Sequence, residues 1–256
     1  MSDKTLTQLL KKERQAFIMK QVNLYNRVLS ADLCMQLGVS EDTVRRDLNE
    51  LADRGKIVKV HGGALTKSYN HTAIQSEVYA HDEKEVIARK ALRLLKDGMF
   101  VLTGGGTTVR TLAKLIPNEL KLTFFTISPQ IALELIEHPN LEVILIGGQI
   151  SPQTQVCMGG EAIHRLNDLR VDLCLMGTAG IDLAAGLTES EWEVVQVKKA
   201  MMKAADKMAM LTISEKLGSV KRMKFCEVTE IDYLITELSP DDTKLTNWRK
   251  NKMDIL

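Results

Sequence analysis

The feature that most constrains this chain is a series of short, mainly apolar segments along its C-terminal two thirds. They lie at residues 99–103, 122–127, 143–146, 171–176, 208–213 and 233–235. Helical periodicity fills most of the gaps, at 109–115, 131–136 and 194–205, with a further helical stretch at 83–96. A strand that faces water on one side alternates apolar and polar residues, whereas one that is apolar throughout must be covered on both faces. Repeated strands of the second kind, separated by helices, predict an α/β domain built on a parallel sheet.

The first 65 residues follow a different pattern. Leu6, Leu9, Leu10, Phe17, Ile18 and Val22 recur at helical spacing. Ser30 is placed to cap a short second helix that ends at Gly38. Ser40 opens a third, with Glu41 and Asp42 in the turn where the helix dipole favours acids. Val44, Leu48 and Leu51 share one face of it, Gly55 ends it, and Ile57–His61 reads as a short strand pair closing on Gly62-Gly63. Three short helices and a ribbon describe a winged helix-turn-helix, although a plain three-helix bundle has the same apolar spacing. With Val44 pointing inward, Arg45 stands about 100° and Arg46 about 200° around the third helix. That face suits base reading; it equally suits a solvated ion-pair face, since Asp42 and Glu50 lie four residues either side of Arg46.

Lys and Arg number 34 against 33 Asp and Glu, a net charge of +1 that excludes a histone-like or strongly acidic protein. Residues 1–64 hold eleven basic and eight acidic side chains, a mild positive excess. The cysteines, at 34, 157, 174 and 226, show no paired spacing, so neither disulfides nor zinc is expected, and a reducing cytoplasm fits. No basic-then-apolar leader opens the sequence and no apolar run is of membrane length. The predicted organisation is a DNA-binding domain over 1–65, a linker over 66–82 and an α/β domain over 83–256.

Ligands of open α/β sheets sit beyond the C-terminal ends of the strands. Gly104-Gly105-Gly106-Thr107-Thr108 follows the first strand and opens a helix, offering backbone N–H groups, partial positive charge and two hydroxyls to an anion such as phosphate. A flexible strand–helix turn is the other reading. Ser128 and the Gly147-Gly148 pair end two further strands, and Lys198 and Lys216 are candidate cations. Glu189, Glu191 and Glu193 read as charge at a helix N-terminus. No Ser/His/Asp or Cys/His arrangement is visible.

The run Ser40-Glu41-Asp42-Thr43-Val44-Arg45-Arg46-Asp47-Leu48-Asn49-Glu50-Leu51, followed by His61-Gly62-Gly63-Ala64, resembles the N-terminal signature of DeoR-family bacterial transcription regulators. Gly106-Thr107-Thr108, Gly147-Gly148, Gly160-Glu161-Ala162, Gly180-Ile181-Asp182, Gly186-Leu187-Thr188, Lys198 to Met201 and Lys216 to Gly218 are similar to that family's sensor domain. The resemblance implies a fold shared with ribose-5-phosphate isomerase and a phosphorylated sugar, or a related metabolite, as effector. It implies a repressor of a carbohydrate-catabolic operon. Arg45 or Arg46 would read guanine in a double-stranded operator, Ser40, Thr43 and Lys59 would position on phosphates, and His61 would touch the backbone or shape the wing. A homodimer or homotetramer is expected, because one recognition helix covers only a few base pairs. The chain departs from the family at Gly104, Ile127 and Ile213, where polar partners for sugar hydroxyls usually stand. Two other readings stay open: an isomerase-like enzyme with an accessory DNA-binding module, and an effector-blind DNA binder. Neither a cofactor nor a metal is called for.

Overall fold

The structure is a computed structural model, described here over residues 10–25, 27–66, 79–152 and 154–256. It divides into two compact units, Met1–Tyr79 and Ala80–Leu256. The N-terminal strand set runs on to residue 66, and the first helix of the second unit starts two residues before the expected boundary at 83. Most of the expected linker, and the positions Leu6 and Leu9, lie outside the described residues.

In the N-terminal unit, α1 (Lys11–Tyr25), α2 (Ser30–Leu37) and α3 (Glu41–Asp53) surround a core of Ile18, Val22, Leu33, Leu37, Val44, Leu48 and Leu51. Leu10 does not join it and is exposed. Ser40 caps α3 as expected, its side chain accepting from Thr43 N–H. Ser30 does not cap α2: it is the first helical residue, Leu29 holds the cap position, and no side-chain bond forms there. Gly38 ends α2 in the left-handed region (φ 63°), a conformation costly for residues with a Cβ.

The ribbon has three strands rather than two. β2 (Ile57–Val60) and β3 (Gly63–Thr66) form the wing hairpin, and β1 (Arg27–Leu29) pairs antiparallel with β3. The two glycines of the turn do different work. Gly62 takes φ 74°, whereas a Cβ on Gly63 would lie 1.9 Å from the carbonyl oxygen of Val28 on β1. A side chain at 63 would therefore force the third strand away.

The second unit carries seven strands in one parallel sheet: β4 (Phe100–Thr103), β5 (Leu122–Thr126), β6 (Leu141–Leu145), β9 (Val171–Met176), β12 (Ala205–Leu211), β14 (Tyr233–Ile235) and β15 (Asp254–Ile255). Their spatial order is β15-β14-β12-β9-β4-β5-β6. The helices α4 (His81–Leu92), α5 (Thr107–Leu115), α6 (Pro129–Leu135), α7 (Gly160–Asn167) and α8 (Trp192–Ala204) accompany it. β4, β9 and β12 are enclosed over most of their length: Val101, Leu102, Leu173, Cys174, Leu175, Met176, Met208, Ala209 and Met210 are buried, while Phe100 at the start of β4 is exposed. A small hairpin of β7 (Gln149–Ile150) and β8 (Cys157–Met158), and an antiparallel sheet of β10 (Gly180–Asp182), β11 (Gly186–Glu189) and β13 (Met223–Cys226), complete the unit.

The strand order locates the functional edge. From β4 the chain works outward through β5 to β6, then returns to the other side of β4 and proceeds through β9, β12, β14 and β15. Beyond the C-terminal ends of β4 and β9 the connections diverge, which opens the crevice where such sheets take ligands.

Candidate functional site

On the N-terminal unit the outward face of α3 is built around one carboxylate. Arg46 donates to Asp42 Oδ2 from Nε (2.9 Å) and Nη2 (2.5 Å), and Arg45 Nη2 donates to Asp42 Oδ1 at 2.5 Å. Both arginines remain largely exposed. The Arg46 hydrogen bonds, more than those of Arg45, hold the Asp42 carboxyl below the ordinary carboxylate range. Ser40 and Thr43 share a hydroxyl–hydroxyl bond of 3.0 Å at the start of the helix. Lys59, on the wing strand β2, donates to Asn49 of α3 at 2.5 Å, so wing and helix are tied together. His61 lies exposed at the hairpin tip.

Behind that face is an ion pair that the periodicity did not reveal. Asp47 is 1% exposed and accepts from Arg14 Nε of α1 at 2.7 Å. Gln15 and Lys11, also on α1, reach Glu50 one turn further along α3. These contacts fix the rotation of α3 about its axis, and hence the direction in which Arg45 and Arg46 point.

In the second unit, two candidate lysines converge on the end of β9. Lys198 Nζ donates to the carbonyl of Gly177 at 2.7 Å and Lys216 Nζ to that of the next residue, Thr178, at 3.1 Å. Gly104 N–H bonds to Leu175 of β9, which brings the loop after β4 alongside them. Lys198 is not an isolated cation: Glu189 pairs with it and the Phe225 ring lies 5.0 Å away. Glu189, buried at the end of β11, also accepts from Ala179 N–H. It belongs to this site and not to a helix cap.

A third lysine was not foreseen. Lys84, in the first turn of α4, is only 6% exposed. Burial pushes its pKa down to about 8. Lys216 is likewise pushed down to about 8, first by burial and then by the positive charge of Lys84, with Glu189 acting in the opposite sense. Lys84 and Lys216 thus bring desolvated positive charge near the Lys198–Glu189 pair, a charge that a bound anion would stabilise.

Of the remaining candidates, Gly105 packs against its neighbours: a Cβ there would lie 2.6 Å from Val156 Cγ1 and 3.5 Å from Ser128 Oγ. Ser128 is buried and its hydroxyl caps α6 by accepting from Ile131 N–H. Gly106 opens α5 at φ 109°, and Thr107 and Thr108 form the first helical residues. Gly147 and Gly148 stand apart, after the edge strand β6, with β5 and β4 between them and β9. A Cβ on Gly148 would meet the Met158 carbonyl at 2.7 Å, so close packing onto β8 accounts for that residue. Ile127 and Ile213 are both buried, and a Cβ on Gly104 would touch Met176 and Met201. The three departures thus lie in the apolar core beneath the loops. His138 has partners that the sequence did not suggest, the Ala113 carbonyl and Asn118.

No helix among the described residues is long and apolar enough to cross a membrane, and none of their His, Cys, Asp and Glu groups is arranged to hold a metal ion.

Residues 5–69 match the DeoR-like helix-turn-helix domain and residues 79–238 the DeoR C terminal sensor domain. The HTH-type transcriptional repressor GlcR of Bacillus subtilis (strain 168) is 31% identical over 97% of this chain and 96% of its own length. The HTH-type transcriptional regulator GlpR of Haloferax volcanii is 33% identical over 90% and 91%. The glycerol-3-phosphate regulon repressor of Escherichia coli (strain K12) is 26% identical over 89% and 91%. Among solved structures, ribose 5-phosphate isomerase A of Methanocaldococcus jannaschii aligns over 53% of this chain and 54% of its own at 19% identity and TM-score 0.40. With a DNA-binding helix-turn-helix domain, a domain for sensing a small molecule, and relatives matched along nearly their whole length, the chain belongs to the DeoR family of transcriptional regulators.

Proposed function

We propose that the protein is a repressor that binds its operator through α3 and the wing, and lets go when a phosphorylated metabolite enters the crevice beyond β4 and β9. The observation that carries the effector reading is the meeting of Lys198 and Lys216 on the consecutive carbonyls of Gly177 and Thr178, beside the Gly104–Thr108 loop. Backbone N–H groups at the start of α5 and partly desolvated ammonium groups are the chemistry that holds a phosphoryl group. Lys84 supplies a further positive charge from α4. Glu189 pairs with Lys198, and Lys216 and Lys84 add positive charge beside that pair.

Ser40, Thr43 and Lys59 act on operator phosphates, and Arg45 or Arg46 of α3 reads a base edge. The protein works as a homodimer or homotetramer, since two half-sites are needed for useful affinity. The names of the relatives, a glycerol-3-phosphate regulon repressor and a lactose phosphotransferase system repressor among them, favour carbohydrate catabolism as the regulated process. The isomerase reading has less support. Proton transfer needs a positioned base, and the candidate carboxylates are engaged: Glu189 by Lys198 and Ala179 N–H, Glu161 by Arg165 and Glu191 by the Ser151 hydroxyl.

The test is a melting screen of the full chain with phosphorylated sugars and their unphosphorylated counterparts. A phosphorylated compound should raise the melting temperature in proportion to the logarithm of its concentration. Lys216→Met should remove the rise. A rise that is equal for both forms of the compound would refute a phosphate site.

A further inference from the structure

We infer that Asp42 is a specificity-determining residue of the DNA interface: by gripping one edge of the Arg46 guanidinium it pre-sets the other edge for a guanine. The inference rests on the reading of α3 as the recognition helix and adds a division of labour between the two arginines that spacing alone leaves open.

The guanidinium presents two usable edges. Arg46 gives Asp42 its side edge, through both Nε and Nη2, onto a single carboxylate oxygen. Its end edge, with one hydrogen on each of Nη1 and Nη2, stays open and the side chain is largely exposed. Two parallel N–H groups on that edge match the O6 and N7 acceptors of guanine in the major groove. Arg45 is held by Nη2 alone, to the other oxygen, and keeps more of its freedom. A singly held arginine suits a phosphate, which accepts from many directions. A doubly held one suits a base edge, which accepts from one.

A free arginine side chain loses rotamer entropy wherever it docks, and it docks about as well on any phosphate as on a base. The carboxylate removes both advantages of the wrong contact. It orders Arg46 before DNA arrives, and it sets a negative charge near the helix start that opposes close approach of the backbone unless the guanine contact compensates. Asp42 is therefore a positioning residue: it acts through Arg46. The contribution is to discrimination, since exposed ion pairs add little to folding stability.

The experiment uses the full-length protein and two duplexes, one that the protein selects from a random pool and one unrelated of equal length. Fluorescence anisotropy gives the ratio of the two affinities for the parent, Asp42→Asn, Arg46→Ala and Arg45→Ala. We expect Asp42→Asn to tighten binding to the unrelated duplex by ~3-fold or more, through loss of a repelling charge, and to lower the ratio by ~10-fold. Arg46→Ala should lower the ratio similarly, while Arg45→Ala should weaken both duplexes and leave the ratio within ~2-fold. A simple charge effect of Asp42 would tighten both duplexes by the same factor and leave the ratio unchanged; that result overturns the inference. If neither arginine substitution moves the ratio, the recognition-helix reading itself falls. If Arg46→Ala lowers it and Asp42→Asn does not, only the role of Asp42 falls.

Discussion

Arg14 of α1 and Asp47 of α3 meet at 2.7 Å with the carboxylate almost wholly enclosed, so the helix proposed to read DNA is bolted to the helix behind it by a buried charge pair. Removing one partner leaves the other charged and desolvated, which costs far more than the pair gains. The Arg14 end retains some water contact, which moderates the penalty. Asp47→Ala should therefore destabilise the N-terminal unit by roughly 2–3 kcal/mol. Hydrogen exchange of the α3 amides in the full chain reads that value directly. The paired replacement Arg14→Met with Asp47→Leu should recover most of it.

A second expectation concerns the wing. Lys59 is held to Asn49 of α3 but remains exposed, and it is proposed to face a phosphate. Lys59→Ala should weaken binding to every duplex by a similar factor and reduce the slope of log affinity against log salt by about 1. Anisotropy titrations at several salt concentrations measure both quantities.

The buried lysines make the sensor unit respond to pH. Lys84 and Lys216 both titrate near 8 in the folded protein, against 10.5 for a free side chain. Between those values the unfolded chain holds more protons than the folded one, so stability should rise with pH through about 8 to 10.5. Below about 8 the folded state bears the full cost of two desolvated charges. An anion favours the charged form, and its stabilising effect should therefore fade as pH rises through about 8. Melting curves from pH 6.5 to 10, with and without inorganic phosphate, check both signs. Lys84→Met and Lys216→Met should each flatten the dependence.

The tight contact under the loop supplies a steric test. A Cβ at Gly105 would stand 2.6 Å from Val156 Cγ1. Gly105→Ala should cost the sensor unit roughly 1–3 kcal/mol by overpacking, read by urea unfolding with Trp192 and Trp248 as fluorophores. Val156→Ala in the same chain should relieve most of that cost, because the clash is with a side chain.

The strands that were legible are those whose burial is written in their own composition. β4, β5 and β9 are mainly apolar, and the sequence segments at 99–103, 122–127 and 171–176 fall on them. β1, β11 and β15 are short, and what holds them is pairing with distant segments: β11 pairs with β13 across more than thirty residues, with an irregular register at Leu187/Thr188. Local periodicity carries no trace of such contacts. The same limit applies to the site. Asp42 and Arg46 are four residues apart on one helix, so their pairing could be read from spacing. Lys84 stands among His81, Asp82, Glu83 and Glu85 and reads as one more solvated helix residue; only the tertiary fold encloses it. Glu189 looked like a capping charge because its partner, Lys198, is reached across a strand–helix junction.

In the proposed mechanism an anion at the β4–β9 crevice controls the hold of α3 on DNA. The most direct measurement is the affinity of the full-length protein for its selected duplex, titrated with a sugar phosphate that raises its melting temperature. The ligand should weaken DNA binding by about 5-fold or more, within the usual range of allosteric coupling. The unphosphorylated sugar should do nothing, and Lys216→Met should bind DNA normally but no longer respond. Unchanged DNA affinity at saturating ligand, or a response that persists in Lys216→Met, would contradict it.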